Sequence, residues 1–87
     1  IAHTIVDERL CACVNVAPSI RSFYRWKGEV ETAAEELLVV KTTAGAFELL
    51  RDRLVELHPY DVPEVIAVSV AAGLPAYLSW VVDSVRP

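Results

Sequence analysis

The densest polar chemistry in the chain lies in His58-Pro59-Tyr60-Asp61-Val62-Pro63-Glu64, which offers one imidazole, one phenol and two carboxylates. Imidazole nitrogen with carboxylate oxygen suits a divalent cation such as copper or zinc. His58 and Glu64 are the first candidate ligands, and a complete site needs at least one or two more donors. Asp61, Cys13 or a neighbouring subunit can supply them. The two prolines fix φ and remove backbone donors, so the segment is a stiff turn with preset side-chain directions. The plainer reading is a surface loop: His58 caps helix carbonyls, and Glu64 pairs with Lys41 or an arginine. Imidazole must be unprotonated to ligate, so cation binding here should weaken below about pH 6.5.

Cys11 and Cys13 form a second candidate. On a strand, alternate residues face the same way, and paired thiolates select Cu(I) or Zn. Against this, cysteine packs well as a small hydrophobe, and its neighbours here are apolar. Tyr24, Trp26, Tyr60, Tyr77 and Trp80 could line a pocket for a flat ligand, but also serve as core or interface anchors. Lys41 and Arg25 could hold an anion at a subunit boundary, or pair with Glu35, Glu36 or Glu64. No Gly-rich phosphate loop, nucleophile motif or matched acid–base pair is present, so the chain does not read as an enzyme.

Elements that position these groups follow from periodicity. Ile1, Ile5, Val6 and Leu10 recur at helical spacing, the tail of an amphipathic helix ending near residue 9. Strands are expected near residues 11–17 and 20–30, separated by a bend at Pro18-Ser19. Lys27-Gly28-Glu29 starts the turn of a long hairpin that returns over about 34–43. Thr43 is a plausible N-cap for a helix over about 44–57, and Pro59 should end that helix at His58. A β-branched strand follows near 64–70, and Pro75 can open a last helix over about 75–84.

The order is helix, strand, strand, helix, strand, helix. With one strand ahead of Ile1 it becomes βαββαβ plus a terminal helix, the ferredoxin-like order. The expected fold is therefore an α+β ferredoxin-like sandwich in one domain, residues 1–87, whose first strand is not in the chain.

Composition narrows the partners. The 87 residues are 54% hydrophobic, with a mean hydropathy of +0.38. A chain this short buries only about 60–65% of its unfolded surface, so the surplus apolar area implies oligomerisation. No apolar run approaches the ~18–20 residues of a spanning helix, so membrane insertion is not expected. A net charge of −4 with scattered Lys and Arg argues against nucleic acid. No secretory pattern opens the chain, and two cysteines make no disulfide framework, so a cytoplasmic setting is expected.

Five segments in order also resemble one known family. They are Leu10-Cys11-Ala12-Cys13-Val14-Asn15-Val16, Ser22-Phe23-Tyr24-Arg25-Trp26-Lys27-Gly28, Glu36-Leu37-Leu38-Val39-Val40-Lys41-Thr42, the His58 to Glu64 turn, and Tyr77-Leu78-Ser79-Trp80. Together they resemble CutA, the divalent-cation tolerance proteins. The resemblance implies a ferredoxin-like subunit in a tight homotrimer, similar in architecture to the PII signalling proteins. It also implies a cytoplasmic protein linked to copper and other divalent cations, with no metal required for folding. Metal ligands are then expected at His58, Glu64 and Cys13, and an interface or pocket at Tyr24, Trp26, Lys41, Tyr60 and Trp80. A PII-like regulatory or scaffolding module, binding a small anion or partner protein between subunits, is the alternative. Cys11 stands where the family usually has alanine, which adds a thiol.

Overall fold

The computed structural model describes residues 1–59 and 61–87. Helix α1 (Ala2–Asp7) leads into strand β1 (Cys13–Trp26), which pairs antiparallel with β2 (Glu29–Lys41). A 3-10 turn (Ala44–Ala46) precedes α2 (Phe47–Leu57), and α3 (Pro75–Ser84) closes the chain. This is an α+β structure, consistent with a ferredoxin-like fold, and it follows the ferredoxin-like order from its first helix as far as α2.

The hairpin is longer and tighter than its sequence suggests. Its strands meet at a two-residue turn, Lys27 (φ 50°) and Gly28 (φ 82°), so β2 begins at Glu29 and not near residue 34. Positive φ at both positions matches the right-handed twist of the flanking strands. The bend at Pro18-Ser19 leaves β1 one continuous strand. Ala17 pairs with Leu37 and Ile20 with Glu35, so Pro18 and Ser19 together oppose Glu36. This is a β-bulge, with Ser19 at φ 59°.

The extra residue changes which side chains share a face. Before the bulge, Val14 and Val40 pack on the helices, so Cys13, Asn15 and Ala17 point the other way. After it, the parity flips, and Ile20, Ser22, Tyr24 and Trp26 continue the Cys13 face. Their partners on β2 are Lys41, Val39, Leu37, Glu35, Ala33, Glu31 and Glu29. This side of the sheet is uncovered, and Tyr24, Trp26, Leu37 and Val39 are all exposed.

The opposite face is covered by helices near the start of β1 and the end of β2, in two small cores, while Phe23 and Val30 farther along it are exposed. Ile5, Leu10, Cys11 and Leu50 are buried together, with Val14, Val40, Leu54 and Leu57 against them. Ala46, Val81 and Val85 form the second, with Ala12 beside it. Polar ties join the elements where α1 turns into β1. Thr42 Oγ1 donates to the Leu10 carbonyl at 2.7 Å, and Ala12 N–H to the Lys41 carbonyl at 2.8 Å. Arg9, at φ 59°, donates to the carbonyls of Ser84 (3.2 Å) and Asp83 (3.0 Å) at the end of α3. Cations at a helix C-terminus are favoured by its partial negative charge.

Thr43 is a cap as expected: its Oγ1 accepts from Ala46 N–H at 3.3 Å, at the head of the 3-10 turn. One expectation is corrected. Residues 64–70 carry no strand, because among the described residues the sheet has only β1 and β2 and no ladder reaches them. Val62, Ile66, Val68 and Val70 are among the most exposed apolar side chains.

Candidate functional site

Helix α2 delivers His58. Its last turn closes when His58 N–H donates to the Leu54 carbonyl at 2.9 Å. His58 itself has already left the helix (φ −84°, ψ 136°), as the following proline demands. Its half-buried side chain lines a cavity of roughly 680 Å³ with Pro59, His3, Ser19, Glu35 and Glu36. Val16 and Leu38 form part of the apolar wall. Both histidines of the chain therefore meet one cavity, with two glutamates at the bulge that also present Ser19.

Nothing in the sequence singles out His3. A histidine within an amphipathic helix carries no local signal of what its exposed face meets across the fold. In the sequence, Glu35 and Glu36 read only as ion-pair partners of Lys41 and Arg25. The structure puts them at the bulge, while Lys41 meets Cys13 and Arg25 donates to the Gly28 carbonyl at 3.4 Å.

The remaining ligand candidates stand elsewhere. Glu64 and Asp61 are exposed and do not line this cavity. Cys13 faces away from the helices, where Lys41 Nζ lies 3.9 Å from its sulfur. Among the described residues, no group of three or more His, Cys, Asp or Glu is arranged to hold a metal ion. His58, Glu64 and Cys13 are thus not gathered into one cluster. Tyr60 lies outside the described residues.

The two cysteines are not equivalent. Although two apart, they are not a matched pair on one strand, because β1 starts only at Cys13. Cys11 is fully buried, and burial pushes its thiol above the ordinary range, with Cys13 adding to the rise and a backbone hydrogen bond from Cys13 opposing it. Cys13 is half-buried, with an ammonium for a neighbour.

The aromatic candidates separate into two places. Tyr24 and Trp26 share the uncovered sheet face with Lys41. Trp80 lies on α3, its ring 5.6 Å from that of Tyr77 and tilted by 39°, and both are exposed. Among the described residues, no helix is long and apolar enough to cross a membrane.

Comparison with known proteins is consistent along the whole chain. The family model for CutA1 divalent ion tolerance protein matches residues 1–84. The divalent-cation tolerance protein CutA of Thermus thermophilus is 52% identical over 80 residues, which are 92% of this chain and 78% of that protein. The chloroplastic CutA of Arabidopsis thaliana is 45% identical over 86 residues, 99% of this chain but 47% of its own. The chain thus spans about half the length of the plant and mouse relatives it matches. The solved Thermus thermophilus protein superposes with a TM-score of 0.96 at 48% identity, over 98% of this chain and 82% of that one. A structure described as the PII-like protein CutA of Nostoc in apo form superposes at 0.92 with 39% identity, over 98% of this chain and 83% of that one.

Proposed function

The chain belongs to the CutA1 divalent ion tolerance family, and on that premise we propose that it binds divalent cations, copper foremost, as a cytoplasmic homotrimer acting in cation tolerance. The observation that carries the reading is His58. It is held at the C-terminal end of α2, where the helix dipole favours a cation, and it shares a cavity with His3 and two glutamates. Imidazole and carboxylate are a donor set for copper or zinc. The described residues of one chain do not complete a site, so donors come also from a second copy. Cys13 and Glu64 remain candidates for that role.

Copper and zinc calorimetry at about pH 7.5 and about pH 5.5 tests this, since proton competition at imidazole should weaken binding at the lower pH. His58→Ala should lower affinity at least tenfold. Unchanged isotherms in that variant overturn the assignment. Native mass spectrometry with and without copper should give three subunits and the metal stoichiometry.

A second reading rests on a different surface. Lys41 lies half-buried on the uncovered sheet face with Tyr24 and Trp26. Tyr24 and Trp26 stand at the far end of the hairpin from Lys41, and a cation on a face left open to a second subunit suits a small anion or partner protein held between subunits, as in a PII-like regulatory module. Under that reading, Lys41→Ala abolishes ligand binding while His58→Ala leaves it intact.

A further inference from the structure

Glu8 caps the end of α1, and its carboxylate meets the Arg53 guanidinium in the middle of α2 at 2.8 Å, both side chains half-buried. His3 lies five residues before Glu8, and His58 lies five residues after Arg53. Both imidazoles line one cavity. A contact between residues 8 and 53 and a shared cavity at 3 and 58 make the two helices antiparallel. Leu54 and Leu57, packed against the core of Ile5 and Leu10, agree with this. From this arrangement we propose that Glu8 and Arg53 are the positioning pair of the cation cavity, setting α1 against α2 so that His3 and His58 ligate one ion together. The proposal rests on the cation reading of that cavity and adds to it a second ligand and the device that sets the spacing.

The two arms match. At roughly 1.5 Å per residue, five residues carry each imidazole about 7.5 Å from the ion pair, to the same level between the helices. Helix α1 needs such an anchor. It is six residues long, and its N-cap makes no side-chain hydrogen bond. A helix this short is held by its tertiary contacts and not by its own propensity. A guanidinium that bonds both oxygens of a carboxylate restrains rotation as well as distance, which a single contact does not. Turning α1 about its axis would carry His3 out of reach of His58.

The cavity also lies on the right side of the sheet. Val16 and Leu38, which line it, share the face of Val14 and Val40 that carries the helices. Ligation there does not compete with a subunit contact on the open sheet face. Two neutral imidazoles favour Cu(II) or Zn(II) over calcium or magnesium, and water or donors of a second copy fill the remaining positions.

Copper(II) titrated into the full chain at neutral pH, well below melting, tests this. Glu8→Gln and Arg53→Lys should each weaken binding about tenfold, as should His3→Ala. In a His3→Ala background, Glu8→Gln should weaken it no further, because the pair acts through that ligand. Val81→Ala loosens the second core, away from this pair, and should leave the affinity unchanged. Electron paramagnetic resonance of the copper complex should show two imidazole nitrogens, one of them lost in His3→Ala and in Glu8→Gln. Equal weakening by Glu8→Gln with and without His3, or by Val81→Ala, gives the pair a structural role alone and overturns the proposal. So does a signal from one nitrogen in the wild type. If His58→Ala still weakens binding in those cases, the cation reading stands without the positioning pair. If His58→Ala leaves binding unchanged, both fall.

Discussion

Arg53 grips Glu8 with two parallel hydrogen bonds, Nε to Oε1 at 3.0 Å and Nη2 to Oε2 at 2.8 Å. The pair joins the end of α1 to the middle of α2, 45 residues apart, and Arg53 also reaches Glu56 at 3.2 Å. Forked geometry of this kind is stronger than a single contact. The hydrogen bonds from Arg53 hold the Glu8 carboxyl below its ordinary range, and the carboxylate in turn raises Arg53.

A lowered folded-state pKa stabilises the fold above the unfolded value, near 4.5, and that contribution is lost as pH falls through the folded value. Glu8→Gln should therefore melt below wild type at neutral pH. The difference should close as pH falls below 4.5. Melting curves from neutral pH into acid check this, and a constant offset at every pH would refute it.

The hairpin turn offers a gain. Lys27 occupies a left-handed conformation (φ 50°) that a lysine side chain resists, ahead of Gly28 at φ 82°. Lys27→Asn gives the preferred Asn-Gly turn and should stabilise by about 0.5–1 kcal/mol. Gly28→Ala should cost about 1 kcal/mol or more, although nothing lies within 4 Å of an added Cβ. Urea titration of both variants reads the two signs.

Leu50 is the α2 side chain that seals the first core, against Ile5, Leu10 and Cys11. Leu50→Ala should cost about 2–5 kcal/mol, while Leu49→Ala, on the exposed face of the same helix, should cost under about 1. Comparable losses at both positions would mean that α2 is covered on its outer side as well.

The uncovered sheet face should mediate assembly. Val39→Glu places a charge between the apolar residues of that face and should convert the oligomer to monomers in sedimentation. Val55→Glu, on an exposed flank of α2, is the control and should leave the mass unchanged. Dissociation by neither variant would move the contact elsewhere.

Much of this architecture was legible in the residues, because periodicity and turn chemistry are local. Thr43 as a cap, Pro59 ending α2 at His58 and Pro75 opening α3 all act within a few residues. The turn at Lys27-Gly28 was located, but not its tightness, since a lysine gives little warning of positive φ. What escaped depends on distant partners. Val65 to Val70 has strand composition, yet a strand exists only with a neighbour to bond, and the sheet described has none beside it. His3 and His58 meet one cavity through packing that no spacing encodes. The bend at Pro18-Ser19 was visible, but its effect on the faces depends on the count opposite it, where one residue, Glu36, answers two.

That count makes Ser19 a letter the ladder does not read. Deleting Ser19 would leave Pro18 alone opposite Glu36, and Ile20, Ser22, Tyr24 and Trp26 would keep both their partners and their face. Deleting Ser22 instead, with the hairpin turn fixed, would draw Ser19 into the ladder opposite Glu35 and move Ile20 and Arg21 one step on, so that these two exchange faces. β1 can thus lose one residue at the bulge without losing its sense, whereas the same loss farther along rewrites the positions between. Length at Pro18-Ser19 should accordingly tolerate the loss of one residue better than length elsewhere in β1.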